Sequence, residues 1–138
     1  VAVTTIRELV DAVADVEVTG VRRDYGTDRP THITVTPCKF LRLVSLEVPR
    51  TTLGNKFHEV GGLLLEVIIP IQAISQSLDE LNFLDSVDMA VNLRDALIEA
   101  DVAGSWPGQG VPLRIYIDHV LIGGTFFWSV IARVACTA

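Results

Sequence analysis

The chain is short of the residues that carry most recognisable chemistry. It has two cysteines, Cys38 and Cys136. That is too few for a disulfide framework, so reduced intracellular thiols are expected. Its three histidines, His32, His58 and His119, are scattered. None belongs to HExxH or another metal-spaced set, and neither cysteine belongs to CxxC. A site assembled in space from Cys38 with His32 or His58 stands against the commoner case of a buried structural cysteine. GxSxG, the Walker loop and GxGxxG are all missing. Gly104, Gly108 and Gly110 lie in a helix-to-strand loop, the wrong context for cradling phosphate. Asp118 and His119 are neighbours on a strand and point to opposite faces, so they form no acid/base dyad. These absences point away from an enzyme, and no catalytic residue, metal or cofactor is expected.

Positive charge is also scarce. The formal net charge is −6, which argues against general nucleic-acid binding, since that needs a basic surface. No run is apolar for a bilayer's width: the longest near the C-terminus, 120–132, contains a Gly-Gly turn signal, and a transmembrane helix is rejected. Arg7, Glu8, Asp11 and Asp15 interrupt any signal-peptide pattern, and the opening Val1 is compatible with loss of an initiator methionine.

What is present is a 138-residue chain, 49% apolar and 20% charged, the balance of one domain with a real core. Its charge is uneven. Residues 79–101 hold seven acids against Arg94 alone. Residues 22–56 hold seven bases, among them Arg22, Arg23, Arg29, Lys39 and Arg42, against three acids. Such asymmetry suits a protein that meets copies of itself head to tail, though a monomer can carry it.

Element signals follow the chain. Thr5 to Glu8 has capping-box spacing and Ile6, Leu9, Val10 and Val13 make an apolar stripe, predicting a helix over 5–14. Val16 to Gly20 reads as a short strand. The stretch 22–37, rich in Arg, Asp, Thr and Pro, is an excursion long enough to be functional or ordered by a partner. Strands are expected over 38–48 and 57–71, with Glu66 the single charge in the apolar part of the second, Pro70 at an edge or strand end, and Gly61-Gly62 marking a bulge or close approach. A second capping box at 77–80 opens a helix over 77–100. Its expected buried stripe runs through Leu81, Leu84, Val87, Val91 and Ile98, widened by Ala90, Leu93 and Leu97. Asp85, Asp88, Asn92, Asp95 and Glu99 line the other side, either as a solvated face or as an acidic ridge facing a partner. With no third oxygen ligand, Asp85 and Asp88 read as solubility charges and not as a metal site. A Gly/Pro loop follows, with Trp106 as lid or interface anchor.

The closing hairpin, 112–137, turns at Gly123-Gly124. A two-residue turn places residue i opposite 247 − i. One face then pairs Leu121 with Phe126, His119 with Trp128, Ile117 with Val130 and Ile115 with Ala132, and reads as core. The other is polar at its far end, where Arg114 opposes Arg133, a clash unless an acid such as Glu66 comes from the neighbouring strand. Val120, Ile122 and Phe127 stay apolar on that second face, for contact with the long helix or with a neighbouring subunit. The order of elements predicts an α+β domain: a mostly antiparallel sheet, the long helix packed on one face, and a short N-terminal helix.

In length and element order, from TTIRELVDAVADV through HEVGGLLLEVIIPI and the long helix to PLRIYIDHV and TFFWSVIARV, the chain resembles the tail terminator or neck proteins of long-tailed bacteriophages. The resemblance carries no functional residue across. It implies a non-enzymatic virion component made in the host cytoplasm: a homo-oligomeric ring, commonly a hexamer, that stops tube growth at the head-proximal end of the tail and joins it to neighbouring neck and tube proteins. A ring uses heterologous contacts, and the expected interface draws on Arg22, Arg23, Arg29, Arg42, Asp85, Asp88, Asp95, Glu99, Val120, Ile122 and Phe127. No membrane and no sequence-specific nucleic acid is implied; if DNA passes through the ring, an acidic lumen lets a polyanion slide. The alternatives are another connector, tube or minor tail protein, and a small cytosolic ligand-binding or enzymatic α+β domain with a pocket near His58, His119 or Cys38.

Overall fold

The computed structural model describes residues 6–47, 62–73, 80–102 and 109–137. Helix α1 (Ile6–Ala14) is followed by strands β1 (Arg23–Asp24), β2 (Cys38–Glu47) and β3 (Gly62–Ala73), helix α2 (Glu80–Val102), and strands β4 (Gln109–Ile122) and β5 (Thr125–Thr137). The strands form one sheet in the order β1-β2-β3-β5-β4. Among the described residues, the two-residue β1 pairs in parallel with β2, and the other pairings are antiparallel. The fold is therefore α+β, as the order of elements predicts.

Both helices cover one side of the sheet, the inner face. Val13 and Ala14 of α1 and Met89, Leu93 and Leu97 of α2 pack against Leu41, Leu65, Val67, Ile69, Val130, Ala132 and Val134. On the strands these positions alternate, as a pleated sheet requires. The short N-terminal helix is fastened by a buried lysine. Lys39 on β2 donates from Nζ to the carbonyls of Ala14 and Val16 at 2.8 Å each, and pairs with Asp24 at 3.0 Å. It thus satisfies carbonyls left over at the helix C-terminus, where a cation also complements the helix dipole.

The same contact explains one correction. The stretch 16–20 is not a strand. Val16 and Val18 are buried, but the chain turns through a Val21 N–H to Val18 carbonyl bond and through Gly20 at φ 93°. Pairing begins later, at Arg23–Asp24, inside the stretch that the sequence presents as a long excursion.

The hairpin register is the expected one, residue i opposite 247 − i from Ile122 with Thr125 to Leu113 with Val134. Gly123 and Gly124 have φ of 59° and 81°, the pair of positive values that a type I′ turn needs. Burial along the hairpin differs from expectation, however. Near the turn the two faces exchange roles. Leu121 and Phe126, on the supposed core face, are 47% and 46% exposed. Val120, Ile122 and Phe127 are buried with Phe40, Ile68 and Ile131, beneath Tyr25 and Ile33 of the 22–37 excursion. These three side chains meet neither the long helix nor open surface, so they drop out of the interface. The sequence misleads here because the loop that covers them is polar overall, and Tyr25 and Ile33, which pack on the cluster, stand isolated within it.

Helix α2 brings a second correction. Its buried side runs through Ser86, Met89, Leu93 and Leu97, whereas Leu84, Val87, Val91 and Ile98 are 53%, 38%, 40% and 51% exposed. Two apolar stripes compete on this helix, and the sheet covers the one adjoining Ala90, Ala96 and Ala100, whose small side chains admit close approach. The start of the 57–71 strand, the 77–79 part of the capping box, Arg50, Lys56, His58, Gly61 and Trp106 lie outside the described residues. Pro70 stands inside β3 but past Ile68, where the described β2 pairing ends, and at a register shift against β5, so its missing N–H breaks no ladder there.

The excursion is docked tightly on the turn: a Cβ at Gly123 would strike the carbonyl oxygen of Thr31, while one at Gly124 meets nothing within 4 Å. Gly124→Ala is expected to cost about 1 kcal/mol from backbone conformation alone, and Gly123→Ala about 2–4 kcal/mol because a clash is added. Urea denaturation of both variants checks this; equal losses would mean the loop does not sit on the turn.

Candidate functional site

The outer face of the sheet, away from the helices, divides into a dry half under the 25–33 loop and an open half built around one buried acid. Glu66, with a side chain 1% exposed, lies in a row across four strands: Arg42 opposes it on β2, Arg133 on β5, and Arg114 opposes Arg133 on β4. Glu66 Oε1 accepts from Nε and Nη2 of Arg42. Its Oε2 accepts from the Tyr116 hydroxyl at 2.6 Å and from Arg133 Nε at 3.2 Å. A carboxylate has about four acceptor positions, and all four are used. The acid thus lies between Arg42 and Arg133, and the Arg114 that the hairpin register sets against Arg133 stands one strand further out. Arg114 places its guanidinium 5.4 Å from the centre of the Tyr116 ring, a cation–π contact.

Burial works against ionisation of Glu66, but the hydrogen bonds from Tyr116, Arg42 and Arg133 and the Arg42 charge outweigh it, and its carboxyl is held below the usual carboxylate range. The Tyr116 hydroxyl moves the other way, raised by burial and then by its bond to the Glu66 anion. An ionised carboxylate with every acceptor position taken has no capacity left to receive a substrate's proton. Its chemical capability is to hold cations in place. The excess charge of the row is positive, three guanidinium groups against one carboxylate.

The opposite sign gathers on the other side of the molecule. Asp15 and Glu17, just after α1, line an open cleft of about 640 Å³ with Asp95 and Glu99 of α2. Asp85 and Asp88 continue the acidic edge along the exposed helix. Beside them on α2 stands the uncovered apolar stripe, and Val87 and Val91 form a groove with Ile115 and Ile117 of the edge strand β4.

Of the sequence-derived interface residues, the acids Asp85, Asp88, Asp95 and Glu99 come together as one exposed ridge. The bases do not form one patch. Arg22 is held by its backbone N–H to Pro37, Arg23 lies over the Tyr25 ring, and Arg29 donates to the Leu121 carbonyl, pinning loop to hairpin. Lys39 is buried and spent on α1. Only Arg42 belongs to the outer row. Arg114, Arg133 and Tyr116 are the residues that sequence reasoning did not assign to a site. Their signal was the like-charged pair in the hairpin register and the lone Glu66 of an otherwise apolar strand.

Elsewhere the chemistry is sparse. Asp118 Oδ1 accepts from the His119 backbone N–H, and the two side chains stand 4.0 Å apart, both exposed. Among the described residues no three His, Cys, Asp or Glu side chains converge as a metal ligand set, and no helix is long and apolar enough to cross a membrane. Burial pushes the Cys38 thiol up to about 11, with the Arg23 charge pulling weakly the other way. Searches with the chain against protein-family models, curated proteins and solved structures return no match.

Two expectations follow. Glu66→Gln should cost about 2–3 kcal/mol at neutral pH, the scale of hydrogen bonds to charged groups. Because the folded-state carboxyl titrates below its unfolded value, its contribution is complete above the unfolded pKa and fades as pH falls through the folded one. Denaturation at a pH series should therefore show wild type and variant converging in acid; a gap independent of pH would contradict it. Cys38 should resist iodoacetamide at neutral pH in the folded chain and react once unfolded, as peptide mapping would report.

Proposed function

We propose that the chain is a non-enzymatic structural subunit that assembles with copies of itself, and that the assembly is the terminator ring at the head-proximal end of a long phage tail. The observation that carries this reading is the outward side of α2. Four large apolar side chains, Leu84, Val87, Val91 and Ile98, remain a third to a half exposed along the helix, beside the edge strand β4 and flanked by acids. An apolar strip with a charged border has the composition of a protein interface, with a dry centre and a polar rim. Left uncovered it is an aggregation liability, as is a long unpaired strand edge.

The partner proposed is a second copy because the complementary charge lies elsewhere on the same chain. The acidic ridge belongs to the helix layer and the arginine row to the opposite face of the sheet, so one copy's ridge meets another copy's row without either surface meeting itself. That arrangement is heterologous and closes into a ring when the rotation between copies permits. Resemblance in length and element order then selects the tail terminator among ring-forming proteins. The purified chain should run as a closed oligomer by solution mass and show rings in negative stain, while Val87→Glu with Val91→Glu should be monomeric with an unchanged circular dichroism spectrum. A wild-type chain that stays monomeric at all concentrations sinks the proposal. Open filaments in place of rings would move it toward a tube protein.

A further inference from the structure

Resting on the assembly reading, we infer that the surface receiving α2 is the row Arg42–Arg133–Arg114 of the next copy, and that the helix lies across the strands in one direction only, Asp88 on Arg42, Asp95 on Arg133 and Glu99 on Arg114.

Spacing and turn geometry together decide the pairing. Strands sit about 4.8 Å apart, and the row crosses β2, β3, β5 and β4 in turn. Measured from Arg42, the Glu66 position is at about 4.8 Å, Arg133 at about 9.6 Å and Arg114 at about 14.4 Å. An α-helix rises about 1.5 Å per residue, so from Asp88 the position of Asp95 is at about 10.5 Å and that of Glu99 at about 16.5 Å. Both acids thus fall within about 2 Å of their arginines, inside the reach of such side chains. With the helix reversed, Asp95, Asp88 and Asp85 match the same spacing, at about 10.5 Å and about 15 Å, so rise alone does not set the direction. Turn geometry does: at about 100° per residue, Asp88, Asp95 and Glu99 point within about 40° of one another, whereas Asp85 points about 80° away from Asp95. The helix residue that falls over Glu66 in this alignment is Val91 or Asn92, both uncharged, so no carboxylate is driven against another.

The row is also prepared for such a contact. Arg42 and Arg133 are each roughly two-fifths exposed, and their guanidinium groups are already fixed by Glu66, while Arg114 rests on Tyr116. Side chains ordered before association lose less entropy when it occurs. Glu66 is accordingly a positioning residue for the interface. The Arg94 to Asp95 pair within α2, 3.0 Å apart and more than half exposed on both sides, is the kind of surface contact that yields at little cost.

The test uses the pair furthest from Glu66's own bonds. Arg114→Glu and Glu99→Arg should each weaken self-association at least tenfold by sedimentation velocity, and the double variant should recover to within about threefold of wild type. A 1:1 mixture of the two single variants should also assemble, since each supplies the surface the other needs. Circular dichroism melting keeps folding separate from assembly. Singles that associate like wild type, or a double variant no better than the singles, overturn the arginine-row inference. If in that case Val87→Glu with Val91→Glu still abolishes assembly, the self-assembly reading survives; a wild type without self-association overturns both.

Discussion

One buried carboxylate organises the outer face of this sheet. Glu66 is surrounded by apolar neighbours along β3 and accepts hydrogen bonds from side chains on β2, β4 and β5. A slip of one residue in β3 would turn this acid toward the helices and put an unpaired charge in the main core, while Arg42 and Arg133 lost their common partner. The register of four strands is therefore specified by one charge more sharply than by the apolar pattern alone. The acid also marks where the outer face changes character. On one side lies the dry cluster of Phe40, Ile68 and Ile131 beneath the loop; on the other the arginines face solvent.

Coverage of the sheet is unequal, and that inequality leaves surfaces free for association. The inner face is closed by two helices, with Lys39 tying α1 to β2. Among the described residues, the outer face is closed near the hairpin turn, where Arg29 and Thr31 bring the loop against Leu121 and Gly123. The open half keeps the arginine row, and the exterior of α2 keeps an apolar strip edged with acids. Opposite charges on opposite sides of one chain favour stacking of unlike surfaces over a twofold pairing of like ones.

Much of the scaffold was legible before the structure. The 247 − i register of the hairpin held because a two-residue glycine turn allows few alternatives, and the Arg114–Arg133 opposition called for an acid from the neighbouring strand, which Glu66 supplies to Arg133. Helix α2 was legible as a helix and misread in orientation. Leu84, Val87, Val91 and Ile98 satisfy helical periodicity as well as Met89, Leu93 and Leu97 do, and no property of the helix by itself ranks one stripe above the other. The segment 16–20 was misread for a related reason: Val16 and Val18 alternate as a strand would, yet the hydrogen bonds that decide the matter come from Lys39, more than twenty residues away.

The order of elements, the turn, the strand pairing within the hairpin and the uneven distribution of charge were determined by the sequence itself, because each depends on neighbours close in the chain or on composition. Which face of α2 is buried, which loop covers Val120, Ile122 and Phe127, and which arginines share a surface were decided only by the tertiary structure. Those outcomes depend on contacts between residues far apart in the chain, Arg42 with Glu66 and Glu66 with Arg133 and Tyr116, and local periodicity holds no information about which distant partner arrives.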